Sequence, residues 1–506
     1  MRVFEKNDDE ILVLAKRPSN VSIGDFLLIK DDHESIGVLI QVLDESFINV
    51  EGIAAETIRE EVIDGQIEVV EKYGDDANLI SNQIRDLIVL KCKVRGCINS
   101  GVYIPNVNIL PSRVFSRIEQ IGINELMGLV GIAGTRFAHI GKTLKGEPIS
   151  IPLESLDGHL SIITGKKGSG KSHLAKLLIK DLVNNGARVI VFDINDEYSG
   201  LRYFADGSPS ALSKKILRLD PGKNLRFSIA YLGKKGLVSI LSHVMDLPGT
   251  SLREFLRIWD TVEERGHVTI RSLMDTITSW RCNEFVRDAL ISRFGSLISS
   301  KLITDNPKES ITINGIFAQL KSGGAQIIVL NRCSSLVRRI TVELLLSKMA
   351  EVVENTRAPP IFLFAEEAHL YLRDTYWDDL ITRMRHIGIF TTLVTNQPDA
   401  IQETIYRQAD NIFLFNFSSD KDLGTIAQAS MVDSDSIKVF AKSLPPRHCL
   451  ALGKTTGELP IIFRSAPSDV QSLGETRLFF QDLQNSHSPP KKQDLALVSL
   501  SNSAKV

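Results

Sequence analysis

A glycine-rich segment followed by lysine and serine has the best-defined chemistry in this 506-residue sequence. It fits the pattern G-x-x-x-x-G-K-S/T, follows an apolar run at residues 160–164 and precedes a helix-prone stretch. Such glycines let backbone N–H groups turn toward phosphate oxygens, and the next helix adds positive potential at its N-terminus. The residues predicted to contact a nucleoside triphosphate are Gly165, Lys166, Lys167, Gly168, Ser169, Gly170, Lys171, Ser172 and His173.

The last two residues of the pattern are predicted to have separate tasks. Lys171 would reach the β- and γ-phosphates of ATP, and the Ser172 hydroxyl would ligate Mg²⁺. The alternative is a chance glycine-rich turn, which does not explain why a strand-like run precedes the segment and a helix-prone stretch follows it. Residues 165–172 are called the phosphate loop below.

A second apolar run, at residues 360–365, ends in two acids, Glu366 and Glu367. Ligands of open α/β sheets bind at the carboxyl ends of the strands, so both acids are expected beside the phosphate loop. Glu366 is predicted to hold Mg²⁺ through water, and Glu367 to orient or deprotonate the attacking water. The alternative is a strand end followed by an acidic helix N-terminus.

Polar residues also follow the apolar run at 389–395. Asn396 and Gln397 are placed to sense the γ-phosphate through a hydrogen bond. Together with Pro398 they are equally compatible with a simple turn. The sequence leaves both interpretations open.

Charge and cysteine content restrict the function only weakly. The net charge is −2, so a nucleic-acid partner would have to meet a local basic surface. Five scattered cysteines predict reduced thiols in a cytoplasmic protein, because their spacing completes no zinc site. The N-terminus has no apolar signal segment and the chain has no run of 18 apolar residues, so a soluble protein without a membrane partner is expected.

From residue 159 onward, apolar strand-like runs alternate with helical stretches. Continuous apolar runs of this kind are typical of a parallel sheet that is covered on both faces, so the pattern predicts a doubly wound α/β core. The predicted strands are residues 160–164, 188–193, 326–330, 361–365, 389–395 and 412–417.

The remaining regions have different patterns. Short strand-like segments separated by turn residues predict a small N-terminal β-barrel, and spacings of three and four between apolar residues near Phe255 predict helices. A polar end rich in proline and serine predicts a mobile tail. The predicted parts are a barrel at 1–115, a connecting segment at 116–158, a P-loop ATPase core at 159–231 and 306–468, a helical insertion at 232–305 and a tail at 469–506.

The order of these motifs resembles the HerA-like ATPases of the HerA/FtsK superfamily. The resemblance covers most of residues 20–465, and the segments that carry it are 157–165, 192–198, 366–369, 385–388 and 395–398. It implies a RecA/FtsK-like fold, a homo-hexamer with ATP and Mg²⁺ at the subunit interfaces, and double-stranded DNA in a central pore.

The resemblance also implies roles for single residues. Lys171 and Ser172 match the phosphate-binding pair, Asp193 matches the acid after the second strand, which is expected to help bind the nucleotide, and Glu366 and Glu367 match the catalytic acids. Arg385 matches an arginine that would reach the γ-phosphate of a neighbouring subunit. Its planar, permanently charged donors suit the equatorial oxygens of the transition state.

Alternatives and departures remain around the third motif. Arg383 could serve instead of Arg385, or either could form a surface ion pair. The family usually has glutamine where Asn396 stands and often arginine where Gln397 stands, and Asn331 replaces a common aspartate. Lys166 and Lys167 add charge to a loop that usually has small residues there.

Three functions are compatible with these residues. The leading hypothesis is an ATP-driven motor that translocates on double-stranded DNA and works with a partner nuclease or antiphage effector in DNA end processing or defence. The second is a ring-shaped scaffold whose ATP binding activates an effector with little translocation. A metabolic kinase is the third, although no acceptor-substrate domain is evident.

Overall fold

The computed structural model describes residues 1–471 and 473, apart from 18, 32–35, 48–86, 106–108, 357, 372–382, 418, 430, 431 and 472. Most of the predicted tail at 469–506 therefore lies outside the described residues. Across the described ranges, no helix has both the length and the apolar character needed to cross a bilayer.

The N-terminal region is an antiparallel sheet of seven described strands. They are β1 (Arg2–Asn7), β2 (Glu10–Lys16), β3 (Phe26–Asp31), β4 (Ile36–Phe47), β5 (Leu87–Asn99), β6 (Val102–Pro105) and β7 (Ser116–Ile121). Their order is β1-β2-β5-β4-β3-β7, with β6 paired to β5. β1 and β7 stand at opposite ends of this order and still contact each other, so the sheet curls. This curvature is compatible with the predicted barrel, and β7 lies beyond the predicted boundary at residue 115.

The rest of the chain is organised around a second, larger sheet. The remaining described strands are β8 (Phe137–Lys142), β9 (Pro148–Pro152), β10 (Ser161–Thr164), β11 (Arg188–Asp193), β12 (Ile216–Leu219), β13 (Phe227–Ser228), β14 (Ile303–Thr304), β15 (Gly324–Val329), β16 (Ile361–Ala365), β17 (Ile389–Thr395), β18 (Asn411–Leu414), β19 (His448–Gly453) and β20 (Ile461–Ser465). All but β13 and β14, which pair with each other, form one sheet in the order β12-β15-β11-β16-β17-β10-β18-β19-β20-β8-β9.

The six strands predicted from the sequence are neighbours in this sheet, from β15 to β18. They pair in parallel, whereas β18 to β9 continue the sheet with antiparallel pairs. Residues along β11 alternate between two cores: Val189 and Val191 pack in one, and Ile190 and Phe192 in the other. Both faces are therefore buried, which explains the continuous apolar runs and confirms the predicted α/β class.

Helices cover both faces of the larger sheet. They are α1 (Ile123–Leu129), α2 (Lys171–Asn184), α3 (Ile229–Ser239), α4 (Gly249–Glu264), α5 (Ile270–Ser279), α6 (Glu284–Ser299), α7 (Ile313–Gln319), α8 (Ser335–Thr356), α9 (Glu403–Tyr406), α10 (Asp420–Ala429) and α11 (Ser434–Ser443). The apolar side of α2 packs in one core, and that of α8 in the other.

The chain between β13 and β14 is helical, with α3 to α6 and a π-helical turn at Ile240–Val244. Its apolar residues recur at helical spacing, so Phe255, Ile258 and Trp259 of α4 are buried on one face. The side chain of Thr269 caps α5 in a capping box. That this segment is an insertion into the ATPase core stays a prediction.

A buried arginine joins the N-terminal sheet to the core. Nη1 of Arg95, on β5, lies 2.8 Å from Oδ2 of Asp433, and Nη2 donates a 2.8 Å hydrogen bond to Ser436 of α11. Gln41 of β4 accepts from Arg95 and donates to the carbonyl oxygen of Pro460 at 2.7 Å. These contacts fix the two regions relative to each other.

Candidate nucleotide site

The phosphate loop turns tightly between β10 and α2 because three of its glycines adopt positive φ angles. The angles are 154° at Gly165, 77° at Gly168 and 123° at Gly170, values that residues with a Cβ rarely adopt. A Cβ on Gly165 would also lie 2.5 Å from Cβ of Phe415, the residue that follows β18. The glycine pattern thus has two physical reasons, the backbone angles and the close packing against Phe415.

Lys171 is the first residue of α2, and its side chain folds back onto the phosphate loop. Nζ donates a 2.9 Å hydrogen bond to the carbonyl oxygen of Lys166, and the residue is 6% exposed. Burial lowers the pKa of Lys171, while nearby carboxylates oppose that shift. A phosphate oxygen would be a stronger, charge-assisted partner for this ammonium group than a carbonyl oxygen.

Strand β16 brings Glu366 to the phosphate loop. The Ser172 hydroxyl donates a 3.0 Å hydrogen bond to Oε1 of Glu366, although 194 residues separate the two along the chain. Glu366 is 2% exposed, and burial raises its pKa to about 7. The two halves of the predicted site therefore meet at the carboxyl edge of one sheet.

Glu367 lies beside this contact in a left-handed backbone conformation, with φ 48° and ψ 47°. Such angles are uncommon for residues other than glycine and asparagine, and they cluster at functional sites. Oε1 of Glu367 accepts a 3.4 Å hydrogen bond from Asn396, and Oε2 lies 3.4 Å from Nδ1 of His369. Burial raises the pKa of Glu367, and Lys171 opposes the shift. A partly buried carboxylate held in this way suits a general base.

Asn396 and Gln397 occupy a turn that faces the acids, so the two interpretations of this segment are compatible. The backbone N–H of Gln397 donates a 3.0 Å hydrogen bond to Oγ1 of Thr395, and a short 3-10 helix, Pro398–Ala400, follows. Oδ1 of Asn396 is buried without a hydrogen-bond partner among the described residues. Gln397 is exposed at the edge of the site. A role of either residue in sensing phosphate stays a prediction.

The two candidate arginines lie away from the phosphate loop. Nη1 of Arg385, before β17, is 3.6 Å from Oδ2 of Asp410, and the same oxygen accepts a 2.9 Å hydrogen bond from the N–H of Leu160. Leu160 precedes β10 whereas the phosphate loop follows it, and a strand of four residues spans about 13 Å. Arg385 therefore does not contact the phosphate loop of its own chain. Arg383 is 75% exposed and 4.0 Å from Glu354.

Two residues predicted to contact the nucleotide have partners inside the protein. The carboxylate of Asp193 is fully buried and accepts three hydrogen bonds, of 3.2, 3.0 and 2.9 Å, from backbone N–H groups of the turn at 195–198. Nε2 of His173 lies 2.6 Å from the carbonyl oxygen of Ala466. A carbonyl only accepts, so Nε2 must carry the proton. Nucleotide contacts of Asp193 and His173 stay predictions.

Two buried tyrosines around Glu366 received no role from the sequence. The Tyr198 hydroxyl donates a hydrogen bond to Oε2 of Glu366. The Tyr371 hydroxyl donates a 2.8 Å hydrogen bond to the backbone carbonyl oxygen of the same residue. The only signal for Tyr198 was its place at the end of the 192–198 segment, which contributed to the family resemblance alone.

A cavity of about 460 Å³ opens beside the N-terminal turns of α2. Its volume is in the range of small-molecule sites. No acidic side chain of the described residues lines it, so its charge suits an anion. The basic residues that line it are Lys142, His173, Lys176, Arg447 and Arg464.

The junction of the phosphate loop and β16 fits a magnesium ion. The Ser172 hydroxyl and the Glu366 carboxylate are oxygen donors, which Mg²⁺ prefers, and they already lie side by side. The two hydroxyl groups that contact the buried carboxylate, from Ser172 and Tyr198, do not balance its negative charge. A bound cation would supply that balance.

Comparisons with known proteins point in one direction. Residues 138–349 match the family model described as the central domain of helicase HerA. The "probable helicase MJ1565" of Methanocaldococcus jannaschii is 22% identical to the chain over 511 residues, which are 94% of this chain and 91% of that protein. The structure of VirB4 of Thermoanaerobacter pseudethanolicus has a TM-score of 0.52 at 15% identity, covering 67% of this chain and 98% of its own. This last likeness concerns the fold alone.

Proposed function

We propose that the chain is a HerA-like ATPase of the HerA/FtsK superfamily, an ATP-hydrolysing ring motor that translocates on double-stranded DNA. The contact between Ser172 and Glu366 carries the ATPase part of the proposal. It puts a phosphate-binding loop and a buried acid within hydrogen-bond distance across 194 residues. This is the arrangement that phosphoryl transfer needs.

Each residue of the site has a distinct task in this proposal. The backbone N–H groups of the phosphate loop and Lys171 bind the β- and γ-phosphates of ATP. Ser172 and Glu366 would hold Mg²⁺, which when bound neutralises charge on the phosphate oxygens. Glu367 orients the attacking water and takes its proton, and Asn396 keeps Glu367 in place through their 3.4 Å contact.

In this proposal the nucleoside end of ATP binds in the basic cavity beside α2. His173 lines this cavity and directly follows Ser172, so the cavity begins where the phosphate loop ends. Arg447 also reaches it, and its backbone N–H donates a 3.1 Å hydrogen bond to Ser169 in the phosphate loop. This continuity supports one ligand that spans both parts.

The position of Arg385 supports assembly into a ring. It does not reach the phosphate loop of its own chain, so it would act on the γ-phosphate of a neighbouring subunit, where ATP would lie at the interface. Binding of Arg385 to the γ-phosphate only before hydrolysis would make subunit packing depend on the nucleotide, as a motor requires. The assembly proposed is a homo-hexamer with duplex DNA in its pore, held through backbone phosphates.

The second candidate is a ring scaffold that uses the same ATP site to activate an effector enzyme. In either case the partner would be a nuclease or a defence effector. The curled N-terminal sheet is the surface proposed for it, because this sheet is a separate region joined to the core at Arg95.

The test measures ATP turnover with no DNA, with double-stranded DNA and with single-stranded DNA, together with the mass of the assembly in solution. A motor predicts a hexamer whose turnover rises with duplex DNA and loses that response in high salt. A hexamer whose turnover ignores duplex DNA would favour the scaffold. A monomer that hydrolyses ATP at full rate would contradict the ring.

A further inference from the structure

The carboxylate of Glu366 has a specific partner on each of its two oxygens. Oε1 accepts from the Ser172 hydroxyl at 3.0 Å, and Oε2 accepts from the hydroxyl of Tyr198. Tyr198 is fully buried, so its hydroxyl is not exposed to solvent water that would compete for this hydrogen bond. The tyrosine therefore decides which oxygen of Glu366 faces the phosphate loop.

The backbone of Glu366 is fixed independently of its side chain. Its N–H donates a 3.1 Å hydrogen bond to the carbonyl oxygen of Phe192, and its carbonyl oxygen accepts from Tyr371 at 2.8 Å. Tyr371 in turn packs edge-on against Phe192, with ring centroids 6.1 Å apart. Rotation of the side chain is the freedom that remains, and the hydroxyl of Tyr198 removes it.

The turn that carries Tyr198 is itself held by a buried acid. Asp193 accepts the backbone N–H of Tyr198 at 2.9 Å and two other N–H groups of the same turn. On the other side, Nζ of Lys176 lies 3.7 Å from Glu197 and 5.9 Å from the centre of the Tyr198 ring. The tyrosine is thus held from one side by Asp193 and from the other by Lys176, which also lines the basic cavity.

We propose that Tyr198 is a positioning residue for the magnesium site, and that Asp193 acts through it rather than on the nucleotide. The hydroxyl of Tyr198 keeps Oε2 of Glu366 occupied and leaves Oε1 directed at Ser172, where the two oxygen donors converge. This inference rests on the proposed ATP site and adds to it a residue that sets the affinity for Mg²⁺. It predicts an effect on the metal that is separate from the binding of phosphate by Lys171.

The test uses the full-length protein with Tyr198→Phe, which removes the hydroxyl and keeps the ring. A fluorescent ATP analogue is titrated first in EDTA and then at rising MgCl₂. The variant should bind the analogue in EDTA within twofold of wild type, whereas the Mg²⁺ concentration for half-maximal tightening should rise about tenfold, as for loss of a residue that orients a metal ligand. At saturating Mg²⁺, kcat should fall while KM for ATP changes less than threefold.

Tyr231→Phe is the matched control. Tyr231 is partly buried, and its hydroxyl accepts a 3.1 Å hydrogen bond from the N–H of Ile313 in the helical region. The control should leave the Mg²⁺ dependence unchanged. The inference would be overturned if Tyr198→Phe had the same Mg²⁺ dependence as wild type. It would also be overturned if the variant lost as much affinity for the analogue in EDTA as it loses in Mg²⁺.

A second variant covers the case in which Tyr198→Phe does not fold. Asp193→Asn keeps one acceptor for the turn, and it should raise the Mg²⁺ requirement in the same direction without a change of affinity in EDTA. An unchanged Mg²⁺ requirement in folded Asp193→Asn would count against the relay. Failure of wild type itself to bind the analogue would contradict the proposed ATP site, which distinguishes the two failures.

Discussion

The two ends of the parallel strands in the large sheet are built differently. At the carboxyl end, the half-buried Ser172 and the buried Glu366 and Tyr198 form a cluster in which each side-chain polar group has a partner within the same chain. At the amino end, Arg385 is 32% exposed and is contacted at 3.6 Å by Asp410. At the carboxyl end these contacts all lie within one chain, whereas at the amino end the guanidinium group of Arg385 is partly exposed.

The difference agrees with the tasks proposed for the two ends. A magnesium site needs oxygen donors held in fixed geometry, and burial with neighbouring hydroxyls gives that geometry at the expense of raised carboxylate pKa values. An arginine that meets the phosphate of another subunit must stay accessible and only weakly bound at home. A long ion pair near the surface contributes about 0–1 kcal/mol to stability, so little free energy is lost when Arg385 leaves Asp410.

The largest expected effect is that of Lys171→Ala at the carboxyl end. Removing the buried ammonium group should weaken ATP binding by more than about 100-fold and bring turnover to background, because its charge-assisted contact with the phosphates is lost. Binding is measured with a fluorescent ATP analogue. Lys180→Ala is the control on the same helix, where the lysine pairs with Asp469 at the surface. ATPase activity near wild type in Lys171→Ala would show that the loop is not the site.

Arg385→Ala tests the amino end. ATP binding should persist while turnover falls by about 10³-fold or more, the range for an arginine that stabilises phosphoryl transfer. Arg383→Ala, two residues away and more exposed, should change turnover little. Mixing Arg385→Ala with Lys171→Ala subunits should restore activity, because some interfaces then pair an intact loop with an intact arginine. No recovery at any mixing ratio would contradict action between subunits.

Glu367→Gln separates binding from hydrolysis at the carboxyl end. The amide keeps the size of the side chain but is not a base, so turnover should fall by about 10²–10⁴-fold with ATP still bound. Retention of ATP is measured by isolating the protein–nucleotide complex, and hydrolysis by phosphate release. Normal turnover would assign the base to another group, and loss of ATP binding would make Glu367 a binding residue.

Asp410→Asn should have the smallest effect and sharpens the comparison. Asparagine keeps an oxygen acceptor for the N–H of Leu160 and removes the charge that faces Arg385. Since such a pair is worth at most about 1 kcal/mol, turnover should change less than about fivefold and the unfolding midpoint only slightly. A loss as large as that of Arg385→Ala would mean that Asp410 is part of the active arrangement.

Much of the fold was predictable because its signals are local. Six apolar runs were predicted as strands, and they form the parallel block of the large sheet together with β12; three match the strand boundaries and the other three differ by one to three residues. The antiparallel extension through β19, β20, β8 and β9 was not predicted. Its strands are short, and the pair that joins β20 to β8 brings together residues hundreds of positions apart, so no local pattern reports which sheet they join.

The site was predictable to a similar extent. Glycine, lysine and serine at fixed spacing, and acids at the end of a strand, predicted both halves, and the contact of Ser172 with Glu366 fits that expectation. Tyr198 had no signal beyond its place at the end of the 192–198 segment, because its sequence pattern does not differ from that of an ordinary core tyrosine. The predicted nucleotide contact of Asp193 stays a prediction, and the sequence did not indicate that its carboxylate accepts hydrogen bonds from three backbone N–H groups.

The sequence by itself determined the phosphate loop, the acids and the alternation of strands and helices, because each depends on residue types at short spacing. Only the tertiary structure decided which distant groups share a hydrogen bond, such as Tyr198 with Glu366, and which end of the sheet holds Arg385. Contacts of that kind depend on strand order, and strand order is set by the packing of the whole core rather than by any one segment.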